Sequence, residues 1–141
     1  MKYLGLDLGY RTLGVAISTS GIFASNLKVI RHNEEYDRLI KDVKDIVDEY
    51  KIDIIVLGLP KNMNGSIGEK GELSYKFKEM LEKGTSLEVI LEDERLSTKE
   101  ATNLLIKNDT SRKKRKKVID SLAATIILQS YLDRKNKKEE V

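Results

Sequence analysis

Asp7 stands in a segment too apolar to carry a charge without a reason, and that reason limits what the chain can fold into. Tyr3 to Leu8 reads as a strand, with Leu4, Leu6 and Leu8 on one face and Tyr3, Gly5, Asp7 and Gly9 on the other. A second apolar run, Gly14 to Ser18, begins just after Gly9-Tyr10-Arg11, so the two strands join most simply as an antiparallel hairpin through a tight Gly-Tyr-Arg-Thr turn. A carboxylate removed from water is costly unless it is paired, hydrogen-bonded or bound to a metal. Asp7 is therefore either a structural acceptor or the first functional residue.

The rest of the chain supplies the layers around this hairpin. A third strand is expected from Ser25 to Ile30 after a Ser20-Gly21 turn, completing a three-stranded meander. Asn33 is placed to cap a helix running to about Tyr50, with Leu39, Ile40, Val43, Ile46, Val47 and Tyr50 as its apolar stripe. Ile54 to Leu57 reads as a strand buried on both faces, ending in the loop from Gly58 to Ser66. A second helix is expected from Gly68 to Lys83, stopped by Gly84, and a fifth strand from Leu87 to Leu91. Ser97-Thr98-Lys99-Glu100 has the pattern of a capping box opening a third helix to about Lys107. Asn108 to Lys117 lacks apolar periodicity and is expected to be a mobile loop, and Val118 to about Arg134 forms the last helix. The predicted fold is α/β: a mixed five-stranded sheet, three antiparallel strands then two parallel, flanked by helices. Sites in such sheets form at strand ends.

At 141 residues the chain is sized for one domain, assigned to 1–134, with 135–141 as a frayed tail. There is no cysteine, which removes disulfides, thiolate metal sites and a Cys nucleophile. No run approaches the roughly 18 apolar residues of a membrane span, and no signal-peptide pattern is present, so a cytoplasmic protein without membrane contact is expected. Arg112, Lys113, Lys114, Arg115, Lys116 and Lys117 carry more charge than the net +3 of the whole chain, so an acidic body bears one concentrated basic run.

Three acidic places invite comparison: Asp7, the Asp93-Glu94 pair after the fifth strand, and Asp120 in the last helix. At about 100° per residue Asp120 borders a stripe containing Ala123, Ala124 and Ile127, whose small members let that helix approach the sheet. Each acid alone has an ordinary explanation as a strand-end acceptor, a helix cap or a solvated charge. Crowded together they would repel one another, and hard cations would relieve the repulsion while binding phosphate and activating water. The basic run suits a phosphate backbone, and Arg11, Lys61 and Arg95 sit on loops expected to rim the same edge. Asn62, Asn64 and Gly65 either join them or simply make a turn. His32 reads as structural. Gly5 and Gly9 would keep side chains away from the place where phosphate and metal approach Asp7.

Gly5-Leu6-Asp7-Leu8-Gly9 with Arg11 and Gly14-Val15-Ala16, Gly58-Leu59-Pro60 with Asn62-Met63-Asn64-Gly65, Asp93-Glu94-Arg95-Leu96-Ser97-Thr98, and Asp120 with Ala123-Ala124 and Ile127-Leu128-Gln129 resemble the YqgF family, a group similar to Holliday-junction resolvases. The resemblance spans Tyr3 to Leu132. It implies an RNase H-like fold and a cytoplasmic, metal-dependent endonuclease that trims the 5′ end of pre-16S rRNA. Mg²⁺ or Mn²⁺ is the expected cofactor, rRNA precursor or branched DNA and ribosomal particles are the expected partners, and the sequence does not decide between a monomer and a weak dimer. The resemblance implies Asp7, Glu94 and Asp120 as metal ligands, with Asp93 the alternative to Glu94. In true junction resolvases a further acid follows three residues after the helix acid; here that residue is Ala123, leaving three acidic places. Other expectations are a DNA-junction resolvase or a non-catalytic nucleic-acid-binding module. The Asp-Leu-Gly turn also resembles the phosphate hairpin of actin-like ATPases and sugar kinases, which close a nucleotide between two such domains.

Overall fold

The computed structural model describes residues 1–139, apart from the side chains of Val118, Asp120 and Glu139. Three antiparallel strands, β1 (Tyr3–Leu8), β2 (Thr12–Ser18) and β3 (Ser25–Arg31), precede helix α1 (Tyr36–Tyr50), β4 (Ile54–Leu59), α2 (Glu69–Thr85) and β5 (Glu88–Asp93). Three further helices follow: α3 (Glu94–Lys107), α4 (Arg112–Ser121) and α5 (Ala123–Glu139). The sheet order is β3-β2-β1-β4-β5, with β4 parallel to both β1 and β5. This is the mixed α/β sheet the sequence predicts.

Alternation along the strands sorts the core into two layers. Leu4, Leu6, Leu13, Val15, Ile55 and Leu57 join α1 and α2 on one face. On the other, Tyr3, Ala16 and Val56 meet Ala124, Ile127, Leu128 and Leu132 of α5. Each buried aliphatic side chain contributes about 1.5–3 kcal/mol. Asp7 shares the parity of Tyr3 and Gly5, so it belongs to the α5 face. A Cβ on Gly5 would lie 2.7 Å from Leu128 Cβ and 3.1 Å from the Ala124 carbonyl, so this glycine makes room for α5 and not for phosphate or metal.

Several boundaries differ from the sequence expectation, each for a local reason. His32 accepts the Glu34 amide on Nδ1 and reaches the Gly9 carbonyl through Nε2, an arrangement that requires the Nε2–H tautomer. Glu34 then turns through φ 67°, and α1 starts at Tyr36 after Glu35 instead of after an Asn33 cap. Helix α2 passes through Gly84, where α1 packs so tightly that a Cβ would lie 2.4 Å from Ile40, and ends at left-handed Ser86. Helix α3 opens at Glu94, capped by Asp93, so the Ser97-Glu100 pattern lies inside the helix. Ser97 is buried there and donates to the Glu94 carbonyl.

The basic run is helical, not a mobile loop. The Ser111 hydroxyl accepts the Lys114 amide, and Arg115 binds the Thr110 carbonyl, so α4 is capped despite its lack of an apolar stripe. The expected last helix is broken at Leu122 into α4 and α5. Helix α5 continues through 135–139, where a frayed tail was expected; Asn136 bonds the Gly21 carbonyl and Lys135 lies over the Tyr3 ring. Gly5→Ala should destabilise the protein by about 1–3 kcal/mol in urea unfolding, because Leu128 Cβ and a helix carbonyl cannot yield as a flexible side chain would.

Candidate active site

Asp7 and Glu94 reach each other from strands that are not neighbours. Asp7 is near the end of β1, Glu94 immediately follows β5, and β4 runs between them. Gly58 opposes Glu92 in the β4–β5 register. A Cβ at Gly58 would lie 3.1 Å from both Cγ and Cδ of Glu94 and 2.7 Å from Ile127, so only glycine leaves a passage for the Glu94 side chain. Having crossed β4, the Glu94 carboxyl is hydrogen-bonded to Asp7.

Two carboxyls in that contact cannot both be ionised cheaply. Burial, followed by the hydrogen bond and the charge of Asp7, pushes Glu94 up to about 8. Lys70, on the first turn of α2, pulls in the opposite direction without cancelling these effects. Its ammonium also stands 5.0 Å from the centre of the Tyr10 ring, joining α2 to the hairpin turn.

Asp93 has the opposite surroundings. Its carboxylate caps α3 by accepting the Arg95 amide at 2.9 Å, and it receives Arg95 Nε and Nη2, the latter at 2.8 Å. Those side-chain hydrogen bonds hold its pKa below the usual range, with help from the charges of Arg95 and Lys61, the latter 3.9 Å away. Of the two acids it is Glu94 that faces Asp7.

The candidate nucleic-acid residues divide similarly. Arg95 is spent on Asp93 and, through Nη1, on the Asn62 and Met63 carbonyls at 3.4 Å each, so it anchors a loop and has no free fork for phosphate. The Asn62 amide binds Ser66, which makes it a turn builder. Arg11 is exposed beside the hairpin turn and Lys61 is partly exposed. Arg112, Lys113, Lys116 and Lys117 line one concave surface of α4 with Ser121, while Lys114 and Arg115 fall outside it. The Asp120 side chain lies outside the described residues; its backbone is in α4. Because the chain breaks at Leu122, Asp120 does not share a continuous helix with Ala124 and Ile127. Among the described residues no group of three His, Cys, Asp or Glu side chains is arranged to hold a metal, so Asp7 and Glu94 form a pair there.

Gly58 belongs to the motif that carries the resemblance, but its sequence neighbours assign no role to it or to Lys70. Gly58 needs the order of the strands before its role appears, whereas Lys70 had a signal, because the helix after β4 must begin on the edge where β4 ends.

A family model described as RuvX, Holliday junction resolvase, matches residues 1–134. The chain belongs to the RuvX family. A relative from Geobacillus sp. (strain WCH70), named as a candidate pre-16S rRNA nuclease, is 53% identical over 137 residues, covering 96% of this chain and 99% of its own. The chain is also similar to T. thermophilus RuvC in complex with a Holliday junction substrate, with TM-score 0.66 and 12% identity over 97% of this chain and 96% of that one. It is similar to a candidate N-acetylmannosamine kinase of Listeria monocytogenes as well, with TM-score 0.51 and 21% identity over 77% of this chain and 40% of that one. At these identities both structural likenesses describe the fold alone, which is RNase H-like.

The raised Glu94 carboxyl gives a pH dependence of definite sign. Between its ordinary value near 4.5 and about 8, the folded protein holds a proton that the unfolded chain has released, so stability falls as pH rises through this window. Metal-free protein should therefore melt at a lower temperature at pH 8.5 than at pH 5.5. Glu94→Gln should flatten that dependence and raise the melting temperature at the alkaline end. Equal slopes for the two proteins in calorimetry would refute the assignment.

Proposed function

We propose that the protein is a metal-dependent endonuclease for structured nucleic acid, and that its task is 5′-end processing of pre-16S rRNA during ribosome maturation. Nuclease activity of the resolvase-like class follows from the family. The rRNA precursor is favoured by the named activity of relatives sharing 53% and 53% of their residues with this chain over nearly its whole length. A cytoplasmic setting with ribosomal precursor particles as partners accords with that task, and no helix among the described residues is long and apolar enough to cross a membrane.

The observation that carries the reading is the carboxyl pair itself. A structural acid is expected to have a cation or donors of its own, as Asp93 has in Arg95. Glu94 instead faces another carboxyl and holds its proton up to about 8. Hard oxygen donors pressed together in this way fit a divalent cation, Mg²⁺ or Mn²⁺, which would displace the proton and remove the repulsion. Asp7 and Glu94 would hold it, joined by Asp120 as the resemblance implies. When bound, such an ion neutralises phosphate charge and lowers the pKa of water for attack on a phosphodiester.

The chain's own groups supply position. Asp93 and Arg95 fix the start of α3 and so the point from which Glu94 reaches across β4. Lys70 adds positive charge beside the carboxyl pair, where the phosphate must enter. The basic face of α4 neutralises the charge of the nucleic-acid backbone. Junction cleavage remains the second reading, favoured by the family's description as a Holliday junction resolvase.

Metal-supplemented cleavage of ribosomal precursor RNA beside a four-way DNA junction tests both readings. Cutting confined to the junction would replace the first with the second, and cutting of neither would leave a binding module. Asp7→Asn should reduce cleavage by at least about a hundredfold while leaving folding and binding intact. Gly58→Ala should approach the same loss by displacing Glu94, though no acid has been removed. Changing Arg112, Lys113, Lys116 and Lys117 to Gln should weaken binding and flatten the salt dependence by about 0.7–0.9 per lost phosphate contact, read from affinities across a salt series.

A further inference from the structure

A cleft of about 760 Å³ lies between the loop after β4 and helix α3, and Glu94, one member of the carboxyl pair, is part of its wall. Its volume lies within the roughly 300–1,000 Å³ typical of small-ligand sites. Pro60 and Met63 form one side and Leu96 belongs to the other. Met63 is 92% exposed and Leu96 48%, so neither is explained by the core. Thr98, Thr102 and Asn103 add hydroxyls and an amide from the α3 side, and they follow Arg95 at the three- and four-residue spacing that puts side chains along one stripe of a helix.

The loop bearing Met63 is fixed before anything binds. Arg95 holds the Asn62 and Met63 carbonyls, and the Asn62 amide pairs with the Ser66 carbonyl at 3.0 Å across the turn. An exposed thioether on a tethered loop is a preformed wall, and sulfur packs well against a flat ring. Apolar walls with a few hydrogen-bonding groups suit the faces and edge of a nucleobase. Lys61 and Lys99 border the same cleft and can meet the phosphates on either side of the sugar. A base stacked within a duplex cannot enter such a cleft, so its occupant must be unstacked.

We propose that this cleft receives one unstacked nucleoside adjoining the phosphate held at Asp7 and Glu94, with Met63 and Leu96 against its base and Asn103 at its edge. The proposal rests on the nuclease reading for the phosphate, and it makes cleavage depend on a nucleotide that is unpaired or can be flipped out. Few aromatics accompany the basic residues in the chain, and the walls of this cleft are aliphatic and thioether groups instead.

Binding and cleavage must be read separately. The full-length protein, with chelator present, is titrated with two fluorescent oligomers of stable abasic nucleotides, one wholly abasic and one carrying a single central nucleobase. The base should tighten binding about tenfold. That gain should disappear in Met63→Ala combined with Leu96→Ala, whose exposed side chains are dispensable for folding, and shrink in Asn103→Ala. A 4-thiouridine as the single base should cross-link within residues 60–63 or 96–103. No gain from the base, a gain unchanged in the double variant, or cross-links confined to α4 would each overturn the proposal. Wild-type cleavage of natural RNA is scored in parallel with added Mg²⁺. Its absence would count against the nuclease reading, while the base-dependent gain would still decide whether the cleft takes a nucleoside.

Discussion

Two carboxyl groups meet over a glycine, and most of the local structure can be understood as what is required to bring them there. Glu94 begins a helix after β5 while Asp7 ends a strand two positions away in the sheet, so one side chain has to span the intervening strand. That demands a residue without a Cβ at position 58 and an Ile127 that stops short of the same space. With both groups ionised the contact would be electrostatically unfavourable, and Glu94 avoids this by keeping its proton up to about 8.

Adjacent acids with opposite surroundings divide the labour. Asp93 is satisfied by the amide and guanidinium of Arg95, its pKa is lowered, and its work is to start α3. Glu94, one residue later, is the first residue of the helix and projects to the other side. The same guanidinium continues to the loop carbonyls of Asn62 and Met63, so one arginine sets the helix start, the Glu94 reach and the wall of the neighbouring cleft. An Arg95→Lys change keeps the charge but loses this fork, and is not conservative at such a site.

The strand pattern was legible because alternation is a property of neighbouring residues. Leu4 and Leu6 against Tyr3, Gly5 and Asp7 declared two buried faces, and the continuous run at Ile54 declared a central strand. Asp7 was legible as a charge in an apolar strand, whereas Glu94 was legible only as one of the Asp93-Glu94 pair, in a charged run that does not tell the two apart. What failed were inferences that needed a distant partner. Ser97 to Glu100 has the letters of a capping box, but Asp93 captures the helix start first, and Glu100 turns to Ser130 and Arg134 of α5. Gly84 looks like a stop but serves the approach of Ile40. The basic run shows no apolar period, yet it is helical because Ser111 caps α4 and α3 and α5 lie beside it. Gly5 and Gly58 could not be told apart by sequence, yet one admits a helix and the other a carboxylate.

The position of α5 decides whether the pair can form at all, since Ala124 and Ile127 occupy the sheet face on which Asp7 and Glu94 meet. Apolar packing alone would let this helix slide along the sheet, because aliphatic contacts are not directional. Polar anchors fix its register from two directions. Gln129 accepts the Ala24 amide and donates to the Ile22 carbonyl, each at 2.8 Å, pairing with the β2–β3 connection as another strand would. On the opposite side Arg134 is ion-paired with buried Glu92 of β5 and with Glu100 of α3, and Ser130 donates to Glu100. Glu92 is buried on the α5 face one position before Asp93 and two before Glu94, so the ion pair that seats the helix also fixes the strand end from which Glu94 departs. Removing Arg134 would leave a buried carboxylate uncompensated at that strand end, a larger disturbance than the loss of a surface ion pair. The carboxyl pair is therefore positioned through β5 and α5 together, and its geometry is inherited from a salt bridge that touches neither member.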